Sequence, residues 1–152
     1  MLVYRIGRTR YAHDLTGEGA RLFGGRWNHK LTPCIYTSES RALAMLEYTV
    51  NVNIEDIPRR LSLSTFEIPD NSIFHIPLHK FPGDWMVSPP PSSAKDFGTG
   101  LLQKSIHLAM KMPSSIMPAE FNLIINPLHK DTGKAILVSV EDFIYDIRVK
   151  AK

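Results

Sequence analysis

A single cysteine, Cys34, stands in 152 residues, so no disulfide can close within the chain and no cysteine-based metal site can be built. Flanked by Pro33 and Ile35, it reads as a small buried side chain rather than a nucleophile. No apolar run approaches the length of a membrane span. The opening Met1–Ile6 reads as a strand and lacks the long apolar stretch of a secretory leader, which makes the cytoplasm the expected compartment. Metal-ligand spacing is missing as well. There is no H-E-x-x-H among His29, His75, His79, His107 and His129, and Pro77 breaks the helix that could align His75 with His79. No metal is expected. The 18 Lys and Arg against 15 Asp and Glu give a net charge of only +3, spread along the chain. A mild, unclustered excess suits a small anionic ligand better than direct nucleic-acid binding.

What is present is ordinary globular composition, 43% hydrophobic and 22% charged, enough for one domain over 1–152 with its own core. Alternation predicts strands at 1–7, 61–68 and 143–149, and further strands are read at 34–37, 136–140 and 121–127, the last ended by Pro127. A helix is expected over 41–50 with Ser38 as its cap, and a second from Ser93 to about Met110. Residues 69–93 hold many of the 11 prolines and read as an irregular excursion framing a pocket. Met112–Ile116 reads as a turn or an edge. No internal repeat is visible. Strands interrupted by at least two helices make the fold class α+β.

The sharpest local feature is the glycine-rich stretch Thr16–Trp27. It fails as a dinucleotide fingerprint: Gly17 and Gly19 supply two glycines, but Leu22 occupies the third position. It fails as a P-loop because no Gly-Lys-Ser/Thr follows. Arg21 and Arg26 either pair with a phosphate through the guanidinium fork or form surface salt bridges. Trp27 either stacks on a ligand ring or packs in the core. Glu47 borders the apolar face of the first helix, where a carboxylate is paired, functional or at the helix edge. Tyr36 ends a short strand just before that helix. Ser114 follows Pro113 without the G-x-S-x-G context of a hydrolase nucleophile.

The stretch Gly17-Glu18-Gly19-Ala20-Arg21-Leu22-Phe23-Gly24-Gly25-Arg26-Trp27-Asn28 resembles the signature of the RES domain family. Further blocks follow in the family's order: Thr32–Ser38, Ala42–Glu47, Met112–Ser114, Glu120–His129 and the closing Phe143–Arg148. Ser115 departs from the small apolar residue common there, and Gly100-Leu101 stand where an aromatic is expected. The resemblance implies a compact fold similar to ADP-ribosyltransferases, with mixed sheets and flanking helices. It implies a toxin that acts on NAD⁺ as a consumed substrate, with phosphate as an additional co-substrate if cleavage is phosphorolytic. Its partner would be an Xre-family antitoxin, which alone would touch DNA. No membrane is involved, and a toxin dimer within a larger complex is compatible with it.

By motif match the resemblance implies Arg26, Glu47, Ser114 and Tyr36 as catalytic. Arg21, Arg26, Tyr36, Trp27, Asn28, Ser114 and Asn126 would bind substrate. Arg26 would clamp the pyrophosphate, with Arg21 assisting. Glu47 would stabilise charge on the ribose, Tyr36 would pack on the nicotinamide end, and Ser114 would orient that end by hydrogen bonds.

Overall fold

β1 (Leu2–Arg8) and β3 (Leu61–Glu67) pair antiparallel along their whole length, from Leu2 opposite Glu67 to Arg8 opposite Leu61. They belong to a seven-stranded sheet in the order β4-β5-β6-β2-β1-β3-β7. The other strands are β2 (Ile35–Ser38), β4 (Ile73–His75), β5 (Ala109–Pro113), β6 (Phe121–Ile125) and β7 (Ile136–Phe143). Among the described residues only β4 and β5 run parallel. The sheet is flanked by the helices α1 (Glu18–Phe23), α2 (Arg41–Asn51) and α3 (Ser92–Lys104). This computed structural model describes residues 1–150; the last two residues of the expected domain lie outside the described residues. The α+β class is as expected, with a mixed sheet and flanking helices.

The sheet is covered on both sides, so its central strands are apolar at consecutive positions. Leu123, Ile124 and Ile125 of β6 are all fully buried. Leu123 and Ile125 join Val3, Ile35 and Phe66 on one face. Ile124 faces the other way, with Met110 and Met112, against Trp27, Trp85 and the α3 residues Ala94 and Leu102. On that second side α2 packs Ala44 near Ile6, Leu61, Leu63 and Tyr145.

Several elements differ from the sequence expectation. Ser40, not Ser38, caps α2, its hydroxyl accepting from the Leu43 N–H at 3.0 Å; Ser38 is the last residue of β2. α3 stops at Lys104, where Ser105 takes a left-handed φ of 50°. The residues then form β5 rather than more helix or a turn, because Met110 and Met112 alternate into the core. The expected final strand at 143–149 is not formed: β7 runs unbroken to Phe143, and a short 3-10 turn follows at Ile147–Val149. β4 lies inside the proline-rich excursion, and α1 inside the glycine-rich stretch. Among the described residues, no helix is long and apolar enough to cross a membrane.

Candidate active site

β1 and β2 meet at one residue pair, Tyr4 opposite Ser38. Beyond that pair the two strands separate, and a cleft of about 800 Å³ opens between Arg5–Arg8 and Cys34–Thr37. That is within the range of small-molecule sites, roughly 300–1,000 Å³. The glycine-rich stretch, α2 and the loop after β5 form its walls, and Met86, Ser88 and Pro90 of the proline-rich excursion close part of its rim. The expectation that this excursion frames a pocket matches its position.

Glu47 reaches the cleft from α2. The Ser40 cap fixes the helix phase, Leu43 and Ala44 turn into the core, and Glu47 follows one turn after Leu43 on the border of that face. Its Oε1 accepts two hydrogen bonds, from Ser114 Oγ at 2.8 Å and from Asn122 Nδ2 at 2.6 Å. Oε2 has no protein partner among the described residues. The carboxylate is therefore anchored by one oxygen and free at the other.

Ser114 is fully buried. While donating to Glu47, its oxygen accepts from the N–H groups of Ile116 and Met117 at 3.2 and 3.1 Å. Its hydroxyl is committed to protein partners and holds the carboxylate.

Arg26 lines the cleft and is fastened by Nη1, which donates to the Trp85 and Val87 carbonyls at 2.7 and 2.8 Å. Its other N–H groups have no acceptor among the described residues. Partial burial lowers the guanidinium from its ordinary value, and the nearby Glu47 charge works against that. The same contact ties the proline-rich segment to the glycine-rich loop.

Tyr36 also lines the cleft. Its hydroxyl donates to Asn28 Oδ1 at 2.6 Å and accepts from the Trp27 N–H at 3.0 Å. Burial pushes this phenol well above its ordinary value. Gly25 is required beside it: a Cβ there would stand 2.7 Å from the Tyr36 oxygen. What Tyr36 offers a ligand is its ring, since the hydroxyl already holds the loop that carries Arg26.

Three expected binding residues, Asn28, Arg21 and Asn126, lie outside the cleft wall, whereas Trp27 is part of it. Asn28 is fully buried, and its Nδ2 donates to the Ala20, His29 and Thr32 carbonyls; it stitches the loop together. Trp27 is only 2% exposed, and its ring packs among Phe81, Trp85 and Phe97, which is the core role rather than a stacking surface. Arg21 pairs with Glu18 at 2.7 Å in α1 and is not part of the cleft wall. Asn126 Nδ2 donates to the Leu102 carbonyl at 2.9 Å and ties the end of α3 to the end of β6.

The residue reading missed three contributors. Asn122 and Ser38 face each other across β6 and β2, with Ser38 Oγ donating to Asn122 Oδ1 at 2.7 Å. The signal for Asn122 was an amide inside the otherwise apolar Phe121–Ile125. Arg5, in the cleft wall, donates from Nη2 to the Tyr11, Ala12 and Asp14 carbonyls and lies over the Phe66 ring. Burial lowers this guanidinium too, opposed by Asp14. Among the described residues no group of three or more His, Cys, Asp or Glu could hold a metal.

Comparison with known proteins gives a consistent picture. The RES domain family model matches residues 2–147. The chain is 38% identical over 153 aligned residues to "Toxin Res" of Yersinia enterocolitica, covering 99% of this chain and 100% of that protein. It is 34% identical over 148 residues to the "Prs ADP-ribosylating toxin" of a Sphingobium species, covering 95% and 92%. Its fold is similar to a chain in the crystal structure of the M. tuberculosis MbcT–MbcA toxin–antitoxin complex. The TM-score there is 0.75 at 21% identity, over 94% of this chain and 84% of that one.

Proposed function

The chain belongs to the RES domain family, and we propose that it is the toxin of a toxin–antitoxin pair that consumes NAD⁺ by breaking the bond between nicotinamide and ribose. One observation carries this reading. Glu47 enters the cleft with Oε1 held by Ser114 and Asn122 and with Oε2 free, and Arg26 lines the same space. Nicotinamide leaves NAD⁺ with the bonding electron pair and departs neutral, so its departure needs no general acid and a second carboxylate of the glycosidase kind is unnecessary. What the reaction needs is negative charge fixed beside the ribose carbon as it turns positive. The free oxygen of Glu47 supplies it and can also hold a ribose hydroxyl.

Arg26 keeps unused N–H donors for the pyrophosphate, with its position set by the Trp85 and Val87 carbonyls. The Tyr36 ring offers a flat apolar surface to the nicotinamide end. Water or inorganic phosphate then bonds to the ribose carbon, and water loses a proton as it does so. A second reading, transfer of ADP-ribose to a protein, is favoured by the similarity to the Sphingobium ADP-ribosylating toxin; the same bond breaks and the acceptor differs. The partner would be an Xre-family antitoxin that covers the cleft mouth, with any DNA contact made by the antitoxin.

The test is NAD⁺ loss by the purified chain, with and without inorganic phosphate, beside Glu47→Gln. That variant keeps the side-chain shape and removes the charge, and turnover is expected to fall roughly a hundredfold or more. Dependence on phosphate separates phosphorolysis from hydrolysis. NAD⁺ left intact while label from NAD⁺ enters a protein of cell extract selects ADP-ribosylation. No loss and no label would refute the enzyme reading and leave a domain that only binds its partner.

A further inference from the structure

We infer that Asn122, oriented by Ser38, is a positioning residue that fixes the plane and direction of the Glu47 carboxylate, so that one oxygen faces the cleft. The inference rests on the proposed role of Glu47, but its geometry is independent of the acceptor. An ionised carboxylate can only accept hydrogen bonds, so the Asn122 atom 2.6 Å from Glu47 Oε1 must be the amide nitrogen. The amide oxygen is thereby turned toward Ser38 Oγ at 2.7 Å, and that hydroxyl must donate. Ser38 is only 4% exposed, so water competes poorly for this bond. Hydroxyl, amide and carboxylate form one directed chain in which each bond leaves a single orientation to the next.

The location of the chain gives it a second property. Ser38 is the residue through which β2 pairs with Tyr4 of β1, and it faces Asn122 across β6. The carboxylate is thus anchored where the two halves of the sheet meet, at the closed end of the cleft, on backbone that cannot move without breaking strand pairs. With Ser114 on the same oxygen, two donors fix the carboxylate plane and leave Oε2 outward.

A packing role and a positioning role predict opposite orders of damage. Asn122→Asp keeps the shape and replaces the donor with a second carboxylate; Asn122→Ala removes both shape and donor. Positioning predicts that kcat for NAD⁺ loss falls roughly ten- to hundredfold in Asn122→Ala, as for one lost hydrogen bond to a charged group. Asn122→Asp should fall further, and Ser38→Ala less. KM for NAD⁺ should stay within about threefold, because the groups that hold the pyrophosphate are untouched. Added to Glu47→Gln, Asn122→Ala should cost little more, since its effect runs through the carboxylate.

Asp milder than Ala, a KM rise with kcat unchanged, or full additivity with Glu47→Gln would each overturn the inference. Crystal structures of the wild type, Asn122→Ala and Asn122→Asp read the placement without turnover: Glu47 should rotate away in both variants. An unmoved Glu47 refutes positioning even if the wild type leaves NAD⁺ intact, and intact NAD⁺ by itself refutes only the proposed activity.

Discussion

Two glycines of α3, Gly98 and Gly100, lie two residues apart, and alanine at each should shift stability in opposite directions. A Cβ on Gly98 would lie 2.0 Å from the Trp27 carbonyl oxygen and 2.8 Å from its carbonyl carbon. The obstacle is backbone, which cannot swing aside, and the residue it belongs to is 2% exposed at the centre of the aromatic cluster. Relief requires α3 to withdraw by about an ångström, loosening Ala94 and Leu102 at the same time. The cost for such overpacking is about 3 kcal/mol, a fall in Tm of roughly 6–12 °C for a domain of this size.

At Gly100 a Cβ would meet nothing within 4 Å, and the residue is interior to a helix, so alanine should gain about 0.8 kcal/mol. Thermal melts and urea titrations of the two variants beside wild type measure both signs. Because Trp27 adjoins Arg26, Gly98→Ala should also lower NAD⁺ turnover, whereas Gly100→Ala should leave it unchanged. Gly98→Ala within 1 kcal/mol of wild type would refute the claim that α3 rests directly on the Trp27 backbone.

Tyr36→Phe leaves Asn28 Oδ1 and the Trp27 N–H without their phenol partner, so a loss of about 1–3 kcal/mol is expected in urea titration; a neutral result would refute the hydroxyl's role in holding the loop. Burial pushes the Cys34 thiol from 9.0 up to about 12, so between those values the unfolded chain binds fewer protons than the folded one. Stability from this residue is complete below pH 9 and falls as pH rises toward 12, by up to about 1.4 kcal/mol per pH unit. Tyr36 titrates in the same sense at higher pH. Urea midpoints from pH 8 to 11, with Cys34→Ala as the control, should show a shallower alkaline decline in the variant; identical declines would refute the assignment. The native thiol should also react with iodoacetamide at pH 8 far more slowly than the unfolded thiol.

The sequence by itself carried the features that depend on near neighbours. Alternation located β1 and β3, an apolar run ended by Pro127 located β6, an apolar stripe located α2, and a failed glycine fingerprint removed the ordinary dinucleotide site. The ordered blocks around Arg26, Glu47 and Ser114 carried the family. Local pattern went astray where a distant partner decided the outcome. Met110 and Met112 belong to a strand because β6 lies beside them, and β4 exists because β5 offers it a parallel edge. β7 continues through 141–143 because β3 pairs with it up to Leu61 opposite Phe143.

The same division holds in the site. Sequence order could mark Glu47 and Ser114 but not the bond between them, which joins positions 67 residues apart. Nor could it tell a guanidinium in the cleft wall from one spent on a neighbour. Arg26 and Arg21 sit in one glycine-rich stretch, yet Arg21 closes on Glu18 one turn away, whereas Arg26 reaches carbonyls about sixty residues downstream. Asn122 and Arg5 gained their places only from strand pairing. What the sequence determined was which residue types and local periods were available, because propensity and side-chain spacing act over a few residues. Only the tertiary structure decided that β1 and β2 touch at a single pair and then part. A cleft is the space between chain segments, and no segment holds it alone.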